Sequence, residues 1–241
     1  MARKPRQFDI GNVYHLINRG VDGRDIFLKN QDYSRFVLSL EFFNDENSIN
    51  IWSLVNRAVV GSDPTTATTE DINIRERLEN QRKSAGKPIT ELMAFTLMPN
   101  HYHLIVREII PNGISLYMQK IGGYSSYFNK QNNRDGGLFQ SRYKCVEITS
   151  DAQLFAVFNY VHTNPIELIE PMWKNQQVQN FDKAKEFLEN YKWSSYRDYI
   201  GIPVFPNVIN KDFFLELFGD EKNCKKEVED WIRLKAGTDL T

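Results

Sequence analysis

Cysteine is scarce in this chain: Cys145 and Cys224 are the only two in 241 residues, far apart and outside any CxxC pattern. That argues against a disulfide framework and a cysteine-built zinc centre, and makes a reducing cytoplasm the expected setting. Long apolar runs are missing too, so no stretch is expected to span a bilayer. The basic opening, MARKPRQFDIG, is not followed by the apolar core of a signal peptide. Internal repeats are absent. Net charge is nearly nil, −1 from 30 Lys+Arg against 31 Asp+Glu, so the chain as a whole is not a polybasic nucleic-acid binder. Histidine is rare as well, with four in all.

What is present suits a soluble globular fold. A composition 41% hydrophobic and 25% charged can bury a real core, and the length fits one large domain with a small appendage. The charge is locally uneven. Residues 120–144 carry Lys120, Lys130, Arg134, Arg142 and Lys144 against Asp135, and the N-terminal arm adds Arg3, Lys4 and Arg6.

The pattern of apolar residues predicts alternating strands and helices. NVYHLIN at 12–18 alternates as a strand and runs into the turn chemistry of RGVDGRD. Phe36, Val37, Leu40 and Phe43 have helical spacing. Residues 45–88 read as a polar, Thr-rich insertion with one short helix around 74–82. Residues 92–97 and 101–107 form two extended pieces, or one strand broken at Pro99. Apolar positions from Ile114 to Phe128 predict one helix, weakened in its middle by Gly122 and Gly123. LFQSRYKCVEI alternates in its second half as a strand. Ser150 followed by Gln153 has the form of a capping box, opening a helix that must end near Asn164 because Pro165 follows. FDKAKEFLENYKWSSYRDYIG is polar with embedded aromatics, and two short helices close the chain around 211–218 and 222–236.

Two of the four histidines sit in FTLMPNHYHLIV, at His101 and His103. In a strand, residues i and i+2 share a face, so the two imidazoles converge on one point. By spacing alone they serve either as metal ligands or as a hydrogen-bonded pair in a loop. Zinc hydrolases of the HxHxDH type are excluded, because Ile105 stands where they need aspartate. Tyr160 and Asn164, four apart on the capped helix, lie together at the margin of its apolar stripe. Two imidazoles with an amide oxygen suit Mn2+ or Mg2+ better than a closed zinc site. Tyr160 taken alone is as consistent with a core-edge tyrosine as with a nucleophile.

Six blocks, LMPNHYHLIV, VYHLINRG, YMQKIGGYSSYFNK, GGLFQSRYKCVEI, NYVHTNP and YKWSSYRDYIG, together resemble one family across residues 10–201. It is the REP-associated tyrosine transposases, single-tyrosine HUH enzymes related to those of small bacterial insertion sequences. The resemblance implies an α+β fold: an antiparallel sheet with packed helices, a ferredoxin-like or RRM-like HUH nuclease domain over 1–201, and a small helical tail over 202–241. It implies Tyr160 as nucleophile and His101, His103 and Asn164 as ligands of a divalent metal, Mn2+ or Mg2+. The activity implied is cleavage and transfer of single-stranded or hairpin DNA through a 5′-phosphotyrosine. Arg142, Lys144, Arg134 and Lys130, with Arg3, Lys4 and Arg6 of the arm, are the expected DNA contacts. Tyr124, Tyr127, Phe128, Phe139 and Tyr143 are either core or faces for unpaired bases. The implied protein is cytoplasmic, monomeric or homodimeric, and makes no membrane contact. The alternatives are a domesticated hairpin-binding protein, a rolling-circle-type HUH initiator and a metal-dependent hydrolase that ignores DNA. The insertion at 45–88 exceeds the family's usual connection, and His162 stands where an aromatic or aliphatic residue is common. No carboxylate presents itself as base for Tyr160.

Overall fold

Strand β1 (Val13–Arg19) alternates as its sequence dictates, with Tyr14 and Leu16 buried on one face and Val13, His15 and Ile17 on the other. The computed structural model describes residues 6–47, 69–173 and 178–236. Arg3, Lys4 and much of the insertion therefore lie outside the described residues. Strands β2 (Thr90–Met98) and β3 (His101–Glu108) are joined through Pro99 and Asn100 alone, so the broken-strand alternative gives way to two strands in a tight hairpin. With β4 (Lys144–Ile148) they form an antiparallel sheet in the order β2-β3-β1-β4. The histidine strand, β3, is thus interior. A register shift between Leu92 and Ala94 bulges β2 where it meets β3.

Helices cover both faces. On one side pack α1 (Asn30–Phe42), with α2 (Thr69–Lys83) beside it, then α3 (Gly113–Gly122) and α4 (Tyr124–Gln131). Their core joins Phe36, Tyr117, Ile121 and Tyr124 to Leu16, Tyr102 and Leu104 of the sheet. The helix expected to run through Gly122 and Gly123 is two helices, parted at those glycines. The helix foreseen around 74–82 exists and is longer. Its Arg82 grips Glu41 of α1 in a two-pronged ion pair, Nε to Oε1 and Nη2 to Oε2.

The other face carries α5 (Asp151–Thr163), a 3-10 turn (Asn164–Leu168), α6 (Phe181–Asn190), α7 (Tyr196–Tyr199), α8 (Asp212–Phe218) and α9 (Glu221–Ala236). Phe158 and Val161 of α5 bury against Ile105 of β3, Phe214 of α8 and Val228 of α9. Each such side chain contributes roughly 1.5–3 kcal/mol by leaving water. The final helices therefore pack against α5 itself. Helix α6 was not expected from the sequence, although it has an apolar stripe: Ala184 and Leu188 are buried, and Phe181 and Phe187 pack partly buried against the same core. A second signal is the cap, where the Asn180 side chain accepts from Lys183 N at 2.9 Å. No helix among the described residues is long and apolar enough to cross a membrane.

Candidate active site

Strand β3 turns His101 and His103 to the α5 face, while Tyr102 between them points into the opposite core. Their ring centroids are 5.0 Å apart at 83°. His101 is oriented by its neighbour: Asn100 Nδ2 donates to Gly23 O at 3.1 Å, which leaves Asn100 Oδ1 facing His101 Nδ1 at 2.6 Å. An amide oxygen only accepts, so His101 Nδ1 carries the proton and Nε2 presents its lone pair. That lone pair faces Asn164 Oδ1 at 3.2 Å.

Helix α5 starts where the sequence predicts, with Ser150 Oγ accepting from Gln153 N at 3.3 Å. The return arm of the cap reaches one residue further, from Thr149 N to Gln153 Oε1 at 3.0 Å. Asn164 caps the far end, fully buried, with Pro165 opening the 3-10 turn. One turn earlier, half-buried Tyr160 stands edge-on to His103, with centroids 5.3 Å apart at 90°. Trp173 lies beside the same ring, near parallel, at 6.2 Å. The structure thus brings His101, His103, Tyr160 and Asn164 together within one chain.

The donor set fits a divalent ion. His101 Nε2 and Asn164 Oδ1 are two acceptors face to face at 3.2 Å, an arrangement that a cation between them relieves. Among the described residues no group of three His, Cys, Asp or Glu could hold a metal. The third donor here is an amide oxygen, which suits a hard ion.

His101, His103 and Tyr160 open into a cleft of about 230 Å3 rimmed by Arg19, Arg142 and Lys144, all exposed, with Asn164 buried behind it. A shallower groove of about 590 Å3 continues from it, sharing Asn18 and Arg142. Of the expected DNA contacts, Arg142 and Lys144 line the cleft. Arg6 lies against the ring of Tyr143 at 4.4 Å, and Arg142 lies over the same ring at 5.6 Å. Arg134 does not reach the cleft. It hydrogen-bonds Gly137 O and Asn129 Oδ1 of its own loop and borders a separate groove. Lys130 is exposed in the last turn of α4, away from the cleft lining. Tyr124, Tyr127, Phe128 and Tyr143 are core, not faces for bases, because each is at least nine-tenths buried. Phe139 is half-buried against Tyr102.

The sequence reading passed over two residues at the site. Arg19 ends β1 directly opposite His101. His15 shares the β1 face with it, buried, and its Nε2 meets His103 Nδ1 at 2.9 Å. Burial pushes His15 down to about 4, so it is neutral at neutral pH. Strand parity alone places His15 on the Val13/Ile17 face, but its partner depends on how β1 and β3 pair. The remaining histidine, His162, faces elsewhere. Its Nε2 meets Ser195 Oγ at 2.8 Å, and that oxygen also accepts from Phe95 N at 2.9 Å. Burial pushes His162 down to about 3 and keeps it neutral. It pins α5 to β2.

Residues 67–164 match the family described as "Transposase IS200 like", a span that includes His101, His103, Tyr160 and Asn164. A solved structure described as a REP-associated tyrosine transposase bound to a REP hairpin is similar at 13% identity and a TM-score of 0.47, covering 88% of this chain and 93% of that one. No curated protein matches.

Proposed function

We propose that this chain, which carries the IS200-like transposase match over residues 67–164, cleaves and rejoins single-stranded, hairpin-bearing DNA through a covalent 5′-phosphotyrosine on Tyr160. The observation that carries this reading is the edge-on packing of Tyr160 on His103, ring centroids 5.3 Å apart, inside a cleft rimmed by basic side chains.

His101 Nε2, His103 Nε2 and Asn164 Oδ1 are the groups that would hold Mn2+ or Mg2+. When bound, such an ion polarises the phosphate oxygens. The chain's own residues do the rest. Arg142, Lys144 and Arg19 neutralise phosphates along the strand and set its register. Trp173 and His103 hold the Tyr160 ring from two directions, so the phenol oxygen is positioned before the substrate arrives. The Tyr160 oxygen forms a bond to phosphorus as the bond from phosphorus to the 3′ oxygen breaks. The phenol proton passes to solvent and the departing 3′ oxygen takes one up. One ester replaces another, so a 3′ hydroxyl can reverse the step without ATP.

The test is an adduct assay on labelled single-stranded hairpins from the DNA flanking the gene, with Mn2+, Mg2+ or a chelator. Wild type is expected to give a metal-dependent, protease-sensitive shift on a denaturing gel, absent in Tyr160→Phe and His101→Ala. Cleavage that survives Tyr160→Phe overturns the assignment of the nucleophile. Hairpin binding without an adduct indicates a domesticated binder instead.

A further inference from the structure

Both histidines of the cation site have Nδ1 engaged: His101 by Asn100 Oδ1 at 2.6 Å and His103 by His15 Nε2 at 2.9 Å. The first partner is an obligate acceptor. The second is an imidazole, which either donates or accepts. His15 pairs across the strands with Ile105, so it reaches His103 diagonally, with the rings 5.1 Å apart and only 24° from parallel.

A neutral imidazole has one N–H and one lone pair, so the contact has two arrangements. If His15 donates, the His103 proton sits on Nε2 and closes that nitrogen to a cation. If His103 donates from Nδ1, its Nε2 keeps a lone pair and His15 holds its own proton on Nδ1. Only the second is compatible with His103 as a ligand, and it repeats the pattern that Asn100 imposes on His101.

We propose that His15 is a positioning residue of the cation site: by accepting from His103 Nδ1–H it fixes the tautomer in which His103 Nε2 binds the divalent ion. The inference rests on the assignment of His101, His103 and Asn164 as that site. Partners of this kind commonly set ligand orientation, and their loss weakens metal affinity about 10- to 100-fold.

The experiment is calorimetric titration of the full chain with Mn2+ alone, comparing wild type, His15→Phe, His15→Gln and His103→Ala. Phenylalanine keeps the ring volume without an acceptor, whereas glutamine restores an acceptor oxygen. The expected result is Mn2+ binding weakened by about 10- to 100-fold in His15→Phe and largely recovered in His15→Gln. Long-range nitrogen–proton NMR of the Mg2+-loaded wild type is expected to show His103 protonated at Nδ1, and this readout stands even where His15→Phe fails to fold. Affinity of folded His15→Phe within twofold of wild type, or His103 protonated at Nε2 in the loaded protein, overturns the proposal. If His103→Ala binds Mn2+ like wild type, the cation site itself is wrong. If His103→Ala loses Mn2+ and folded His15→Phe does not, only the role of His15 falls.

Discussion

Asn159 Nδ2 donates to Glu227 Oε1 at 2.7 Å, tying the residue next to Tyr160 to helix α9. Asn159 is buried, so removing the carboxylate strands its amide. Glu227→Ala is expected to lower stability by about 1–3 kcal/mol. It should slow adduct formation more than it weakens hairpin binding, because the Tyr160 helix loses an anchor while the basic rim is untouched. Denaturant unfolding and a binding isotherm check the two halves.

The cleft makes separable demands on its cations. Arg142→Ala and Lys144→Ala are each expected to weaken single-strand binding and to reduce the slope of log K against log salt by about 0.7, the single-strand value per phosphate contact. Arg134→Ala, whose guanidinium holds its own loop, should leave the slope unchanged. Fluorescence anisotropy across a salt series distinguishes them.

Gly113 opens α3 where a Cβ would sit 2.1 Å from the carbonyl oxygen of Ile89, a backbone atom that cannot swing aside. Gly113→Ala is expected to destabilise by about 1–3 kcal/mol or more through forced backbone movement. A lower melting temperature with an unchanged far-ultraviolet spectrum is the expected signature.

Cys145 on β4 is half-buried, and desolvation pushes its thiol up to about 11 from an ordinary 9.0. A raised thiol pKa lowers the thiolate fraction at any pH below it. Iodoacetamide should therefore alkylate Cys145 about 100-fold more slowly at pH 8 in the folded protein than in urea, with the rate climbing about tenfold per pH unit. Equal rates in the folded and unfolded chain would contradict this burial.

Much of the site was legible before any fold was known, because it depends on local periods. Two histidines two apart on a strand share a face whatever that strand pairs with, and Tyr160 and Asn164 share a helix flank by the 3.6-residue turn. The Ser150 cap and the Pro165 stop bounded their helix from sequence chemistry alone. What local periods leave open is of another kind. Tyr124, Tyr127, Phe128 and Tyr143 are amphipathic by type, and only packing decides whether such a ring is core or surface. Helix α6 does have a helical period, at Phe181, Ala184, Phe187 and Leu188, which the charged residues between them obscure in a polar segment.

The sequence by itself determined which residues could act together along one element: His101 with His103, and Tyr160 with Asn164. Only the tertiary structure decided that these two pairs meet, that His15 sits at His103, that His162 does not join them, and that Arg19 completes the rim while Arg134 stays away. The physical reason is the range of the interactions. Periodicity fixes the face a side chain occupies, whereas its partner is set by strand register and helix docking between segments nearly ninety residues apart, as from His15 to His103 at |i−j| = 88.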